Sequence, residues 1–233
     1  MNKLEAIQKR HSVRNYLDRP IEKELVEKLK KEIEICNQEA SLHLQLVTEN
    51  EDANEDAFKS MIPAVGRFKG VRNYIAMVGE KTKQTQERCG YYGAKLAILA
   101  QTLGLNTCFV TGSYKQSRCK VVLEAGESIL GVIAIGYGVT QGKAHKSKNL
   151  EKLGTGESFW FKNGLMAAAL APTGMNRQNF FLEQIGEKAI AKPNDDKDIT
   201  WMDLGIVKYH FEIGAGKDRT VWDDDSCRRK IVG

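Results

Sequence analysis

Three short apolar segments, each ended by glycine-containing sequence, constrain the fold of this chain more than any other feature. They are residues 73–78, followed by Gly79, residues 106–110, followed by Thr111-Gly112, and residues 129–135, followed by Gly136-Tyr137-Gly138. Apolar runs of this length between turn residues are typical of buried strands. Leu96, Leu99 and Leu103 recur at helical spacing before Gly104, which predicts a long helix over 83–103. The chain therefore predicts helices packed on a buried sheet.

Further elements follow from the same kinds of pattern. Helices are predicted over 3–9, 22–36 and 159–169, a last helix is predicted to begin at a capping Asp198 and to close at Gly214 and Gly216, and strands are predicted over 42–47 and 179–183. Ser158 is placed to cap the helix over 159–169 with its hydroxyl. Residues 49–60 are acidic and polar, which favours either a helix or a mobile surface segment.

Three glycines after the strand over 129–135 resemble part of a dinucleotide-binding fingerprint. Gly142, the third of them, comes one residue later than that fingerprint requires. A stretch rich in lysine and histidine follows, where the fingerprint needs a helix. The pattern does not fit a Rossmann site.

The net charge of +5 is small and dispersed, with no dense block of lysine or arginine. It gives weak support to an anionic ligand and argues against nucleic acid as a partner. Residues 1–10 lack an apolar signal core, and no apolar run reaches the length of a membrane span. We therefore expect a cytoplasmic protein without a membrane partner.

The cysteines and histidines give no sign of a disulfide framework or a metal site. The five cysteines form no CxxC pair, and the four histidines are scattered without the spacing of metal ligands. We expect no bound metal.

The segment from Arg10 to Tyr16 brings two arginines and a hydroxyl close together. In an extended chain, Arg10, Ser12 and Arg14 project to the same side, because side chains alternate in direction. The planar guanidinium fork matches phosphate geometry and stays charged at any relevant pH. The segment therefore predicts a phosphate-binding site; a basic helix end followed by a solvated loop is the alternative.

The two halves of the chain share an order of elements. In each half a helix leads to a polar turn and then to an apolar strand, and aligning the two turns, 39–45 and 172–178, pairs Gln45 with Gln178 and His43 with Asn176. The helix containing Gly93 resembles the one containing Gly205 in the same way. The identities are few, so internal duplication and chance similarity both remain open.

Two of these segments together resemble motifs of the FMN-dependent nitroreductase family. Residues 10–16, Arg-His-Ser-Val-Arg-Asn-Tyr, resemble its N-terminal phosphate motif, and residues 171–178, Ala-Pro-Thr-Gly-Met-Asn-Arg-Gln, resemble its Pro-Ser-x-x-Asn-x-Gln motif. The helix ending at Gly104, Thr111-Gly112, and the Ile135-Gly136-Tyr137 strand followed by Lys146 and Lys148 stand in the family's order. The resemblance covers nearly the whole chain. It implies an α+β nitroreductase-like fold, a central mixed or antiparallel sheet flanked by helices, with FMN as the cofactor.

The chain departs from the family pattern at one informative place. Most members carry the Pro-Ser-x-x-Asn-x-Gln motif just after the second helix, where it reaches into the partner subunit's flavin site. Here residues 39–45 hold that position without the proline or the asparagine, and the better copy lies in the second half. The resemblance therefore implies a fused pseudo-dimer with an internal duplication. Residues 1–156 would form the nitroreductase-like half and residues 157–233 would complete the flavin site, in a monomer or a homodimer.

The resemblance also implies which residues bind the cofactor. Arg10, Ser12 and Arg14, with the backbone of His11, would hold the FMN phosphate and ribityl chain, and Lys146 and Lys148 would close the phosphate site. Thr111 and Gly112 would lie over one face of the ring. The second half would reach the ring through Pro172, Thr173, Gly174 and Asn176. Glycine permits close approach to a flat ring. Without the resemblance, the lysines are equally a solvated charge run, Thr111-Gly112 a strand-ending turn, and residues 172–176 the turn after a helix.

No Ser-His-Asp triad, carboxylate pair or activated cysteine is evident, so no catalytic side chain is assigned. This is expected where a cofactor carries out the chemistry. The resemblance implies an oxidoreductase that passes a hydride from NAD(P)H through flavin N5 to a small oxidised acceptor, such as a nitroaromatic or a quinone. A flavin-binding or flavin-remodelling protein without NAD(P)H turnover is one alternative. A binding module for another phosphate-bearing anion or for nucleic acid is the other.

Overall fold

The computed structural model describes residues 1–48, 57–58 and 68–223 of the chain. Its contacts divide the chain into two compact units. The first comprises Met1, Lys9–Lys81 and Lys95–Ala144, and the second Asn2–Gln8, Thr82–Ala94 and His145–Gly233. The division into residues 1–156 and 157–233 concerns function and stays a prediction. The expectation for residues 49–60 lies outside the described residues except at Ala57 and Phe58, which are helical and buried.

The first unit is built on a four-stranded antiparallel sheet. Its strands are β1 (Gln45–Val47), β2 (Asn73–Glu80), β3 (Asn106–Val110) and β4 (Glu127–Gly136), in the order β1-β2-β4-β3. The two central strands, β2 and β4, are almost wholly buried, as their uninterrupted apolar sequences predict. The register pairs Ile75 with Ile133 and Cys108 with Ala134. Strand β3 thus lies at an edge of the sheet, where another segment can pair with it.

Two of the described α-helices contribute most to the packing of this unit. Helix α2 (Lys23–Ala40) buries the stripe Leu29, Ile33 and Cys36, and Ser41 ends it in the left-handed conformation. Helix α3 (Lys83–Thr102) begins in the second unit and ends in the first. In the first unit, Nζ of Lys95 lies 2.9 Å from a carboxylate oxygen of Glu32, which links α3 to α2.

The described part of the second unit combines a small sheet with three further α-helices. Helix α1 (Lys3–Lys9) comes first, followed along the chain by β5 (Gly154–Thr155), α4 (Phe159–Ala168), β6 (Phe180–Ile185), β7 (Lys188–Pro193) and α5 (Asp198–Ala215). Strand β6 pairs in parallel with β5 and antiparallel with β7. The rings of Phe161 on α4 and Phe211 on α5 meet edge-on at 5.3 Å. None of the described helices is both long and apolar enough to cross a membrane.

Helices α3 and α5 cross at Gly90 and Gly205, and the contact is reciprocal. A Cβ atom on Gly90 would collide with the carbonyl oxygen of Met202, and one on Gly205 would collide with that of Glu87. Each glycine therefore faces the carbonyl three residues before the other glycine. Only glycine permits this approach of two helix backbones. The two glycines stand at equivalent positions in their helices. Gly90 follows Lys83, the first residue of α3, by the same number of residues as Gly205 follows Asp198, the first residue of α5.

Three details differ from the expectations for single residues and strands. Strand β1 is shorter than residues 42–47, because the amide and carbonyl of Leu44 bond to the side chain of Asn37 instead of the sheet. Ser158 precedes α4, but its hydroxyl accepts a hydrogen bond from Gln184 and caps nothing. Asp198 is the first residue of α5 and not its cap. The oxygen Oδ1 of Asp195 instead accepts from the amide of Lys197 at 3.2 Å.

Candidate functional site

The segment from Arg10 to Tyr16 is extended and held by backbone hydrogen bonds on both sides. The amide of Val13 donates to the carbonyl of Thr107 on β3 (3.1 Å), and the amide of Tyr16 donates to that of Lys69 (2.9 Å). The buried hydroxyl of Tyr16 donates to the carbonyl of Val13 at 2.7 Å and contacts that of Ala134 at 3.2 Å. The segment is thus fixed along the edge of the sheet, as a rigid binding element needs to be.

The three side chains that were predicted to share a side do converge, and they do so around the thiol of Cys108. Burial raises the pKa of this thiol, while the charge of Arg14, a hydrogen bond from Ser12 and the charge of Arg10 oppose the rise. Cys108 lies on β3, the edge strand beside the segment, next to Thr107, which forms a β-bridge with Ser12. The structure therefore brings Arg10, Ser12 and Arg14 together in the first unit.

The two guanidinium groups keep hydrogen-bond donors that no described atom satisfies. Arg10 is only 3% exposed, and its Nε and Nη1 have no partner among the described residues. The same holds for Nε of Arg14. Burial lowers the pKa of Arg10 to about 10, so it stays charged at neutral pH. A buried cation with unused donors is costly unless an anion joins it.

The other predicted residues of the first unit lie close to this segment or to β3. His11 is half-buried, and its Cβ lies near Gly142 in the stretch after β4. Thr111 and Gly112 follow β3 directly. A Cβ atom on Gly112 would meet nothing within 4 Å, and its φ lies outside the left-handed region. Packing among the described residues therefore gives no reason for a glycine at this position.

In the second unit, the segment from Pro172 to Gln178 has a strained backbone. Met175 (φ 53°), Asn176 (φ 54°) and Gln178 (φ 46°) are left-handed although none is glycine. Each such residue costs about 1 kcal/mol or more, and the strain persists only where the surroundings impose it. Such strain concentrates at functional sites, which makes this segment a candidate.

Side-chain bonds hold this segment on both sides. The amide of Asn176 donates to the carbonyl of Lys146 (2.8 Å), and the buried Gln178 accepts from the backbone amide of Lys148 (2.6 Å). The ammonium of Lys148 donates to the carbonyl of Gln178 at 3.0 Å. The structure thus brings Lys146 and Lys148 to the predicted Pro172–Asn176 group within the second unit. Both lysines are exposed at this place.

Asp203 on α5 fixes the centre of the same segment. Its two carboxylate oxygens accept from the amide of Gly174 at 3.0 and 2.9 Å. A Cβ atom on Gly174 would collide with the side chain of Ile199, which would have to move to accommodate it. Burial raises the pKa of Asp203 to about 7 against the opposing effects of the Gly174 amide and Arg177.

A second buried polar cluster lies between the first half of α3 and α5. Lys208 and Glu87 form an ion pair of 2.6 Å, with side chains only 2% and 8% exposed. Glu212 accepts from Tyr91 (2.5 Å) and from Trp222 (2.7 Å). Tyr91 and Tyr92 are both buried.

Sequence reasoning missed Cys108, Tyr16 and Asp203 as parts of these sites. Tyr16 stands inside the predicted phosphate motif, but nothing in the motif indicates that its hydroxyl bonds to the backbone. Cys108 reads as one apolar residue of a buried strand. Asp203 stands on the apolar helix of Leu204 and Val207, and a carboxylate among such residues is the one signal that could have found it.

A known sequence family and several solved structures are similar to this chain. The family described as "Putative TM nitroreductase" matches residues 2–215. No curated protein matches the chain. A "putative nitroreductase" from Thermotoga maritima is similar in structure, with 18% identity and a TM-score of 0.66, over 92% of this chain and 83% of that one.

Two further structures are similar over a smaller part of this chain. A "putative NADH dehydrogenase/NAD(P)H nitroreductase" from Parabacteroides distasonis is 23% identical, with a TM-score of 0.51, over 66% of this chain and 97% of its own. A "putative nitroreductase in complex with FMN" from Desulfovibrio desulfuricans is 18% identical, with a TM-score of 0.52, over 68% of this chain and 98% of its own. The predicted α+β nitroreductase-like fold is confirmed. The chain belongs to the nitroreductase family.

Proposed function

We propose that this protein binds FMN non-covalently and is an oxidoreductase that moves electrons from NAD(P)H to a small oxidised acceptor. The observation that carries the proposal is the buried guanidinium of Arg10, whose Nε and Nη1 have no partner among the described residues. No carboxylate of those residues pairs with Arg10 or Arg14, so their charges are available to an anion.

The donor set of this cradle, Arg10, Ser12 and Arg14 beside β3, fits a phosphate monoester. Guanidinium groups bind phosphate oxygens through two parallel hydrogen bonds, and these bonds are strongest where water is excluded. A phosphate here would satisfy the unused donors of Arg10 and offset the cost of its burial. The thiol of Cys108 supplies no competing negative charge, because burial raises its pKa.

We propose that the remaining predicted residues contact the ribityl chain and the ring. Gly112 would let the flat ring approach the backbone after β3. Pro172, Thr173, Gly174 and Asn176 would form the other wall, and Lys146 and Lys148 would close the phosphate site. Asn176 already donates to the carbonyl of Lys146, so we expect it to act there by shaping the wall as well as by contacting the ring. When bound, FMN supplies the hydride chemistry between donor and acceptor.

We propose that one chain performs the part that two subunits perform in dimeric members. Two features support this proposal. The related proteins from Parabacteroides and Desulfovibrio match over 97% and 98% of their own lengths, yet they account for only about two thirds of this chain. The reciprocal contact of Gly90 and Gly205 is the kind that a two-fold axis produces between equal helices.

The decisive experiment is the absorbance spectrum of the purified protein, followed by identification of the cofactor released on unfolding. We expect a flavin spectrum and FMN in the supernatant. A colourless protein that gains no FMN on incubation would contradict the flavin proposal and favour a different anion.

Anaerobic mixing with NADH or NADPH tests the reductase activity separately. We expect the flavin absorbance to bleach with at least one donor and to recover when a quinone or a nitroaromatic compound is added. If the protein binds flavin but neither donor reduces it, the flavin-binding part of the proposal is supported and the reductase part is contradicted. We expect the protein to act in the cytoplasm, where both donors are present.

A further inference from the structure

The strained segment from Pro172 to Gln178 depends on a carboxylate that the proposed binding chemistry does not use. Both oxygens of Asp203 accept from the single backbone amide of Gly174, at 3.0 and 2.9 Å. Asp203 is 7% exposed, so this bond is shielded from water. The carboxylate therefore holds the residue immediately before the left-handed Met175 and Asn176.

The geometry on the two sides of Gly174 leaves little room for another arrangement. Ile199, one turn before Asp203 on α5, fills the space where a side chain at position 174 would lie. On the far side, the hydroxyl of Thr173 accepts from the amide of Gln178 at 3.0 Å, which closes the segment on itself. Met175 is 72% exposed at its apex. The segment is therefore exposed at Met175 and held at Gly174 by Asp203.

We propose that Asp203 is a positioning residue, whose carboxylate holds the Pro172–Gln178 segment in the shape that receives the flavin. This inference rests on the proposed function. The carboxylate form makes a charge-assisted bond to the Gly174 amide, and the protonated form makes a weaker neutral one. The segment is therefore held more firmly when Asp203 is ionised.

Ionisation of Asp203 falls in the neutral range. Burial raises its pKa to about 7, the Gly174 amide and the charge of Arg177 lower it, and the charge of Asp195 raises it. If flavin binding requires the firmly held segment, flavin binding favours the ionised form. Flavin affinity must then increase as the pH rises through about 7, and binding must release protons there.

The test compares the wild-type protein with Asp203→Asn, which keeps the shape of the side chain but cannot ionise. Riboflavin is the main probe, because it lacks the phosphate, whose own second ionisation near pH 6 would add a pH dependence. FMN is titrated in parallel by flavin fluorescence. We expect wild-type affinity for riboflavin to rise about five- to tenfold from pH 6 to pH 8. Asp203→Asn should stay at the wild-type value for pH 6.

Glu212→Gln is the matched control, since Glu212 is a second buried carboxylate on α5 whose pKa is raised to about 7. It should keep the wild-type pH profile. Equal profiles for wild type and Asp203→Asn would overturn the inference while leaving flavin binding intact. A lower melting temperature with an unchanged profile would mean that Asp203 only stabilises the fold. Failure of the wild-type protein to bind either flavin would overturn the proposed function and this inference with it.

A second measurement needs no variant and serves if Asp203→Asn does not fold. Calorimetric titration of the wild-type protein with riboflavin at pH 7, in buffers of different ionisation enthalpy, counts the protons that binding releases. We expect a fraction of one proton per flavin. No release at pH 7 would overturn the inference.

Discussion

At the residue scale, Arg10 sets the energetics of the candidate site, because its charge is buried before any ligand arrives. Replacing it with methionine keeps most of the side-chain volume and removes the unsatisfied donors. We expect Arg10→Met to raise the free energy of unfolding of the flavin-free protein by about 1–3 kcal/mol. The same change should weaken FMN binding by about 1.5–3 kcal/mol, because a charge-assisted bond to phosphate is lost.

Chemical denaturation of the flavin-free protein and FMN titration measure these two opposite effects. Lys31→Met is the control, since Lys31 is an exposed cation on α2 of the same unit. It should change neither quantity. A less stable Arg10→Met protein that binds FMN normally would show that Arg10 supports the fold and binds no phosphate.

The sequence predicts the convergence of Arg10, Ser12 and Arg14, because an extended segment fixes the direction of alternate side chains. It does not predict Asp203, because that residue meets Gly174 only through the way that α5 packs. Contacts between residues distant in sequence depend on packing, and a single sequence carries little information about them. The roles of the individual site residues stay predictions until ligand binding is measured.

At the scale of elements, the crossing of α3 and α5 has the least tolerance for change. A methyl group on Gly205 would enter the space of the Glu87 carbonyl, and backbone atoms cannot move aside as a flexible side chain can. We expect Gly205→Ala to lower the free energy of unfolding by more than about 3 kcal/mol. Gly112→Ala is the control, because a Cβ atom there meets nothing within 4 Å. Equal melting temperatures for the two variants would contradict the reciprocal contact.

Helix α5 also makes stability depend on pH through Glu212. Burial raises its pKa to about 7, with opposing effects from its bonds to Tyr91 and Trp222 and from the charges of Arg219 and Lys208. The folded protein therefore binds this proton more tightly than the unfolded chain. The resulting stabilisation is fully present below the unfolded pKa of about 4.5 and is lost as the pH rises through about 7.

We expect the free energy of unfolding of the wild-type protein to fall between pH 5 and pH 8, with Glu212 contributing at most about 3 kcal/mol of the change. Glu212→Gln cannot titrate, so its decline over the same range should be smaller. Urea denaturation at several pH values measures the difference. Parallel curves for the two proteins would show that Glu212 titrates alike in the folded and unfolded states.

The elements that the sequence predicts best are those with long apolar runs or a long helical period. Strands β2, β3 and β4 and helix α3 lie within two residues of their expected bounds at every end. Strand β7 was missed, since its buried residues are the small Ala189 and Ala191, which give a weak alternation. The two-residue turn Gly186-Glu187 was the available signal for that hairpin.

At the scale of the whole molecule, the question is whether one chain supplies every flavin contact. The order of elements in the sequence leaves internal duplication and chance similarity both open, and a duplication predicts a reciprocal contact like that of Gly90 and Gly205. The sequence identities alone could not place this contact, because the aligned Gly93 lies three residues from Gly90, the glycine that crosses Gly205.

Mixing two variants that each bind FMN weakly tests whether the flavin site is completed within one chain. Arg10→Met removes the proposed phosphate contact, and Asn176→Ala removes a contact of the proposed second wall, so we expect each variant alone to bind FMN weakly. In a dimer whose sites combine two subunits, mixed dimers would contain one site with both residues intact, and FMN binding would return in part. In a chain that supplies both contacts itself, every site of the mixture keeps one defect.

The two variants are mixed in equal amounts, unfolded and refolded together so that subunits can exchange. We expect fluorescence titration to show no recovery of FMN binding. Wild-type protein taken through the same refolding is the control for recovery of binding. If no partner is needed, light scattering of the FMN-bound wild-type protein should give the mass of a single 26.1 kDa chain. Partial recovery of tight binding in the mixture would contradict the fused arrangement and would place the second wall on a partner subunit, as in the dimeric members of the family.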